Sequence, residues 1–582
     1  MAASERDASK AIQAVAAQAG AAAPHAGAGN RAMRLLVKLA DRCRLVLRRY
    51  PPDPRVEALR KVMGAAPSAC SDGPLVAVQC VEDPIYFGLF NALVEELRRT
   101  RGARGELVVV RSINGAIGAN WRSALWRSVP IGRLIASQWI RASRPWIERV
   151  AYRSLSYANP LTELADVWRS GAAWLGLRSG DAKFSVVIDG VTVTDLIIDS
   201  FLRFRPSPSF EKADPFVLTL IRQAHRDVRL ARAYFRRHRP RLYITSYSTY
   251  LEHGIAVRVA LQEGVQVMSF GSLARFGKEL TSADSVHTPN AEGFRREFAA
   301  LDDQPARIRK AAARLEFRLT GGIDQAMNYM RASAYGKPLE KSPEDLTGAV
   351  VVFLHDFYDS PHVYHDLIFD DFWQWITFTI ATLRESGKTF FLKPHPNQIA
   401  LSGEALETLR AEHPGLRFLP PGITNTQLVE AGICCGVTMY GSVAHELAYY
   451  GVPTIGCARH PHNAFDFCRT ARSKSEYRAF LLSPCEMPVP KSEMRQQALT
   501  FFYMHNLHGE PDDLELRSAF NAWWKACEGS GASTEELLGR FDAMRHSPAF
   551  IRFCSRLLGP LPNQEQKEVP ENALVRAEPI HR

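Results

Sequence analysis

The 582-residue chain has no run of 18 or more apolar residues, so no segment reads as a membrane-spanning helix. Its first residues lack the charged, apolar, small-residue order of a secretion signal. Ten cysteines are scattered without a CxxC pair, and the one adjacency, Cys434-Cys435, is a poor candidate for a disulfide. This usage speaks against a structural zinc and for a reducing compartment. No HExxH helix and no RNP, zinc-finger or helix-turn-helix signature occurs. These absences predict a cytoplasmic protein with no nucleic-acid partner. Large apolar side chains are scarce in residues 1–30, which are expected to be a disordered lead, as is the polar tail 561–582.

With 46% hydrophobic and 10% aromatic residues, the rest can build ordinary cores for two to four domains. The net charge of +11 is uneven. Arg31 to Arg49 holds seven basic residues against Asp41, with Leu35, Leu36, Leu39, Val46 and Leu47 spaced to share a helix face. Residues 31–74 are therefore expected to form a basic amphipathic helical segment. Asn120 to Arg153 holds seven arginines against Glu148, interleaved with Trp121, Trp126, Trp139 and Trp146. Basic, tryptophan-bearing stretches suit an anionic membrane surface. Tryptophans buried in a helical subdomain fit the same pattern.

Between these features the chain alternates strands and helices. "PLVAVQC", "GELVVVRS", "RLYIT" and "VQVMSFG" read as strands of a first half, and "GAVVVFLHDF", "TFFLKPHP", "ICCGVTM" and "VPTIGCA" as strands of a second. The fold class is α/β, with two doubly wound Rossmann-like domains facing a cleft. The boundaries are 75–335 for the first, with a basic insertion at 119–155, and 346–482 for the second. Helices at 483–560 complete the chain.

Strand "TFFLKPHP" ends in Lys393 and in His395, whose backbone is restricted by Pro394 and Pro396. The carboxyl end of a strand is where open α/β sheets bind ligands. In "VTMYGSVAHELAYYG", Tyr440, Gly441 and Ser442 stand where a strand gives way to a helix. Gly441 permits close backbone approach, and Ser442 is a natural N-cap at an end that favours anions. Glu446, one turn on, is placed for ribose hydroxyls. In "LHDFYDSPHVYHD", His355, Asp356, Asp359 and His362 crowd a loop that would face donor phosphates or sugar hydroxyls.

"KPHP", about 45 residues of α/β and then "TMYGSVAHE…GVP" resemble the nucleotide-binding half of GT-B glycosyltransferases. The resemblance is to the capsule polysaccharide biosynthesis family, which includes Kdo transferases, and covers residues 350–470. It implies that His395 and Ser442 contact the donor's phosphate and Glu446 its ribose, with no metal required. The donor would be a CMP- or UDP-linked nucleotide-sugar, and no other cofactor is implied. The resemblance departs at Gly441, where a serine or threonine commonly precedes the helix serine. A base for the acceptor hydroxyl would come from the first, acceptor-side half, where Asp195, Asp199, Glu252 and His253 are the candidates. The expected function is transfer of a sugar to a lipid-linked or oligosaccharide acceptor of a bacterial capsule or lipopolysaccharide, peripherally at the inner membrane. The alternatives are a sugar-nucleotide 2-epimerase, a CDP-glycerol-type phosphotransferase and a non-catalytic capsule assembly or export factor.

Overall fold

The computed structural model describes residues 53–64, 72–81, 83–109, 142–143, 146, 149–152, 160–178, 183–205, 207–270, 275–322, 345–396, 398–528 and 532–559. The lead, the basic 31–49 stretch, most of the 119–155 insertion and the tail lie outside these residues. Within the insertion, Trp146 is fully buried and its carbonyl accepts from Arg98 Nη1 at 2.9 Å, so this tryptophan is core.

The strands in chain order are β1 (Leu75–Gln79), β2 (Arg104–Val109), β3 (Arg149–Tyr152), β4 (Val187–Ile188), β5 (Val191–Thr192), β6 (Leu242–Thr245), β7 (Gln266–Phe270) and β8 (Gly277–Leu280) in the first half. The second half has β9 (Val350–Phe353), β10 (Phe390–Lys393), β11 (Cys435–Val437), β12 (Thr454–Gly456) and β13 (Cys468–Thr470). The first main sheet runs β3-β2-β1-β6-β7-β8, parallel except for β8. The second runs β10-β9-β11-β12-β13 and is parallel throughout. Strands such as "VVVF" and "LYIT" are buried at every position, as parallel strands covered on both faces must be. The α/β class and the two doubly wound halves are as the alternating pattern predicts.

Strand order reverses once in each sheet, between β1 and β6 and between β9 and β11. At such a point neighbouring connections leave in opposite directions and open a crevice at the carboxyl ends of the strands. Two crevices are thereby fixed by topology.

The final helices do not form a separate layer. Helix Lys491–Phe502 packs with the second half, where Met494, Phe501 and Phe502 meet Ala444, Phe465 and Phe467. Helices Pro511–Glu528, Thr534–Arg545 and Pro548–Arg556 return to the first half. Phe520, Trp523, Phe541 and Phe550 share a core with Val76, Leu89, Leu93 and Ile244. Trp523 lies so close to helix Pro84–Arg101 that a Cβ on Gly88 would stand 2.8 Å from it.

Cys434 and Cys435 do not bond to each other, as their adjacency predicts, but against the expectation of reduced cysteines Cys434 is not a free thiol. It is disulfide-bonded to Cys485, 51 residues away, while Cys435 remains free and buried.

Candidate functional site

At the first reversal point, the Gln79 side chain ends β1 and reaches β6. Its Oε1 accepts from Thr245 Oγ1 at 2.9 Å and from the backbone N–H of Ser246 at 3.1 Å. A backbone N–H only donates, so the amide orientation is fixed and Nε2 must donate to His253 Nδ1 at 2.7 Å. Neutral His253 therefore carries its proton on Nε2, which lies 3.7 Å from Glu252. Burial lowers its pKa, with Glu252 opposing. In this arrangement the imidazole is a donor, and it acts as a base at Nδ1 only if Gln79 moves. His287 joins from the neighbouring loop, its Nδ1 3.0 Å from Ser248 Oγ, and Tyr247 stands edge-on to both histidines.

At the second reversal point, His355, two residues beyond β9, stacks on Phe372 with centroids 4.7 Å apart and leans on Tyr440. Its Nε2 is 3.1 Å from Thr438 Oγ1, which also accepts the N–H of Gly441 at 2.9 Å. A Cβ at Gly441 would fall 2.8 Å from that same oxygen, so the close approach expected of this glycine is made to its own strand end. Burial pushes the His355 pKa down to about 3, with His395 adding to the effect. Next along the edge, Lys393 ends β10 with its side chain buried, and burial brings its pKa to about 8 although Glu446 opposes the shift. His395 is solvent-exposed, yet enough protein rings it that desolvation lowers its pKa, Asp356 opposing and Lys393 adding.

Asp356 serves the geometry of that loop. Its Oδ2 accepts from Ile399 N at 3.1 Å and its Oδ1 from Ser402 Oγ at 2.8 Å and Tyr358 N at 3.0 Å. It thus supplies the cap that Ile399 cannot give helix Ala400–Glu412 and ties the loop after β9 to the Pro-His-Pro segment. Asp359 is exposed and accepts from the N–H of Ser360 at 2.9 Å.

Two expectations about helix Val443–Tyr449 change. Ser442 occupies the N-cap position, but its hydroxyl makes no cap bond. Instead it accepts from Arg318 Nη2 at 3.3 Å and lies 3.5 Å from Glu446 Oε1. Glu446 is itself buried and engaged on both oxygens, by Arg318 at 2.8 Å and by Asn425 Nδ2 at 2.6 Å. Tertiary partners thus compete with both the helix end and a ligand for these groups.

The halves meet through Asp199. This fully buried carboxylate on helix Thr194–Phe204 accepts from His362 Nδ1 at 2.6 Å and, by a short bond, from Ser360 Oγ. Burial disfavours a charged His362, but Asp199, helped by Asp195, more than offsets it and the pKa rises. Ser209 Oγ and the N–H of Phe210 also cross to Asp371, at 3.0 and 2.7 Å. Asp195, by contrast, is paired with Arg258 through a 2.7 Å contact to Oδ1 and a shorter one to Oδ2. A shallow depression open to solvent lies between the halves and is lined in part by Asp284, Tyr364, His365, Arg459 and His460. Asp199→Ala is expected to cost about 2 kcal/mol, because it leaves the buried Ser360 hydroxyl and His362 without their acceptor. It should also enlarge the radius of gyration in small-angle scattering. An unchanged radius and melting temperature would show that this clamp does not hold the halves.

Among the described residues no cluster of three or more His, Cys, Asp or Glu side chains has metal-binding geometry. Gln79, His287, Asn425 and Arg318 were not singled out by sequence. Each acts through a partner distant in the chain, as in the 174-residue separation of Gln79 and His253.

No protein-family model matches the chain, and no curated protein matches it by sequence. Among solved structures, UDP-GlcNAc 2-epimerase from Neisseria meningitidis bound to UDP-GlcNAc aligns with 73% of this chain and 96% of its own, at 8% identity and TM-score 0.20. The Methanocaldococcus jannaschii UDP-GlcNAc 2-epimerase in complex with UDP-GlcNAc and UDP covers 72% and 95% respectively, at 8% identity and TM-score 0.25. The glycotransferase of kitacinnamycin covers 75% and 96%, at 12% identity and TM-score 0.21. At such scores these likenesses carry no part of the functional reading.

Proposed function

We propose that the chain is a GT-B-like glycosyltransferase that moves a sugar from a CMP- or UDP-linked donor to a growing bacterial surface glycan. One observation carries the reading: the two sheets each reverse order once, and polar side chains capable of the two halves of a transfer reaction stand at the two reversal points. Glycosyl transfer builds positive charge on the sugar and negative charge on the departing phosphate, while an acceptor hydroxyl loses its proton. Lys393 and His395 supply cationic and hydrogen-bonding stabilisation for the phosphate. Buried Lys393, with its pKa near 8, is still mostly protonated at neutral pH, and an arriving anion would strengthen that charge. On the opposite edge, Glu252 is the partly exposed carboxylate suited to take the acceptor proton, with His253 donating from Nε2 beside it. Glu446 and Ser442 bear on the donor through the Arg318 network, and Asp199 and His362 close the halves around it.

The acceptor in this reading is lipid-linked or an oligosaccharide, and the basic 31–49 and 120–153 stretches hold the enzyme at the cytoplasmic face of the inner membrane. No helix among the described residues is long and apolar enough to cross a membrane. The test incubates the protein with UDP-, CMP- and CDP-sugars and follows nucleotide release and sugar configuration. His395→Ala should reduce release at least about a hundredfold if the imidazole stabilises the leaving group. Its melting temperature should stay unchanged because the side chain is exposed. Normal release by this variant would leave His395 as a strand-end residue, and an epimerised product would replace transfer by isomerisation.

A further inference from the structure

Helix Pro160–Arg178 has one anchored face and one face of exposed apolar side chains. On the anchored side, buried Asp166 accepts from Arg229 at 2.7 and 3.0 Å, and Trp174 Nε1 donates to the Lys212 carbonyl at 3.1 Å. These bonds fasten it to helix Pro215–His238 and to the loop that precedes that helix. On the other side, Leu161, Leu164, Trp168 and Leu175 are 75%, 66%, 75% and 57% exposed. At 100° per residue these four fall within roughly 60° of one another around the axis, a row about 21 Å long. Five of the nine exposed large hydrophobic side chains among the described residues sit on this helix, with Val167 as the fifth, so this is a concentrated patch rather than scatter.

The surroundings say what covers it. Arg169 and Arg178 are exposed on the same helix, and Arg222 is exposed on the helix it packs against. The stretch leading into it, Asn120 to Arg153, has seven arginines against one glutamate. A narrow apolar row with a central tryptophan and basic flanks matches the boundary between lipid headgroups and acyl chains. A protein partner would find no complement in charge unless it were acidic as well as apolar. We propose that Leu161, Leu164, Trp168 and Leu175 dock the first half onto an anionic membrane surface, with the helix lying in the interface plane. The inference rests on the membrane part of the reading above and not on the transfer chemistry. It shifts the apolar contact from the basic stretches to this helix and leaves them the electrostatic one.

The test uses the full chain and vesicles of phosphatidylcholine with or without phosphatidylglycerol. Wild type should bind the anionic vesicles, and part of that binding should survive high salt, because apolar insertion is not screened. Leu164→Ser/Trp168→Ser should weaken partitioning at least about tenfold and remove the salt-resistant part. Its melting temperature should hold, since both side chains are exposed. Unchanged partitioning of this variant would overturn the helix as the docking face while leaving membrane binding to the basic stretches. No binding by wild type would overturn both. A wild-type dimer in solution that the double variant abolishes would also overturn it, by making a second copy the occupant.

Discussion

Acidification from pH 7 to about 4.5 is expected to remove several kcal/mol of stability, because the fold holds a set of histidines neutral. His287 is buried, and burial, with Lys278 and His253 nearby, lowers its pKa to about 3. His445, His460 and His462 are buried together and fall well below the ordinary range, by desolvation first, then by Arg318 against His445 and by neighbouring imidazoles, His505 included, against all three. His445 Nδ1 is 3.2 Å from His462 Nε2, and the His460 and His462 rings are 3.9 Å apart, so two charges there would face each other directly. In the unfolded chain such groups take up protons below about pH 6.5, whereas the folded chain refuses them. Their stabilisation is therefore complete above that pH and is lost as pH falls, by about 1.4 kcal/mol per unit and per group. His287 alone would account for about 2.7 kcal/mol over two units. Asp83 and Asp371, whose pKa values burial raises, return part of this when they protonate. His362 has the opposite sign to the neutral histidines, since its raised pKa makes the Asp199 contact's contribution complete below pH 6.5 and lost as pH rises from there through its own raised pKa. Urea unfolding across this range checks the account, and His287→Gln should show a shallower loss. Equal slopes for wild type and variant would remove His287 from it.

Breaking the Arg318–Glu446 pair is expected to cost roughly 3–5 kcal/mol from either side, as for other buried ion pairs left half-complete. The two side chains are only 6% and 3% exposed and stand 2.8 Å apart, so the survivor cannot recruit water. Glu446→Gln also turns an amide donor toward either Arg318 or Asn425. The Arg318→Met/Glu446→Gln double variant should lose less than the sum, with a coupling of about 1–3 kcal/mol. A carboxylate reserved for ribose would behave otherwise, leaving stability almost untouched and weakening only nucleotide binding. A second cycle, pairing Glu446→Gln with a 2′,3′-dideoxy nucleotide, separates the roles, since additivity there means no ribose contact.

The sheets were legible because parallel strands covered on both faces leave unbroken apolar words such as "VVVF", punctuated by glycine and proline at their ends. Those same boundaries located Lys393, His395 and Gly441, which lie at a strand end or in the turn after it. The destination of the final helices was not legible. An amphipathic period tells that Phe520 and Trp523 need a partner, not that the partner is Leu89 in the other half. Ser442 shows the limit within a single residue. Its position at the start of a helix follows from sequence, but its hydroxyl answers to Arg318, 124 residues upstream. Cys434 likewise finds Cys485 only because the fold brings them together.

The return of the last helices to the first sheet sets an order on synthesis. Ile244 and Phe550 belong to one core, yet a ribosome adding about 5–20 residues per second delivers the second about 15–60 s after the first. Throughout that interval the nascent first half must wait with a hydrophobic face unsealed. The second half waits far less, because its central core draws on residues between Val350 and Leu481 and helix Lys491–Phe502, which completes its neighbouring core, follows closely in the chain. The later-made domain can thus mature first, and the earlier one is a natural client for a chaperone until the chain is released. The same arrangement makes the polypeptide divisible: a fragment ending near Leu507 would fold incompletely, and a separately supplied Pro511–Arg556 segment would be the piece that closes it.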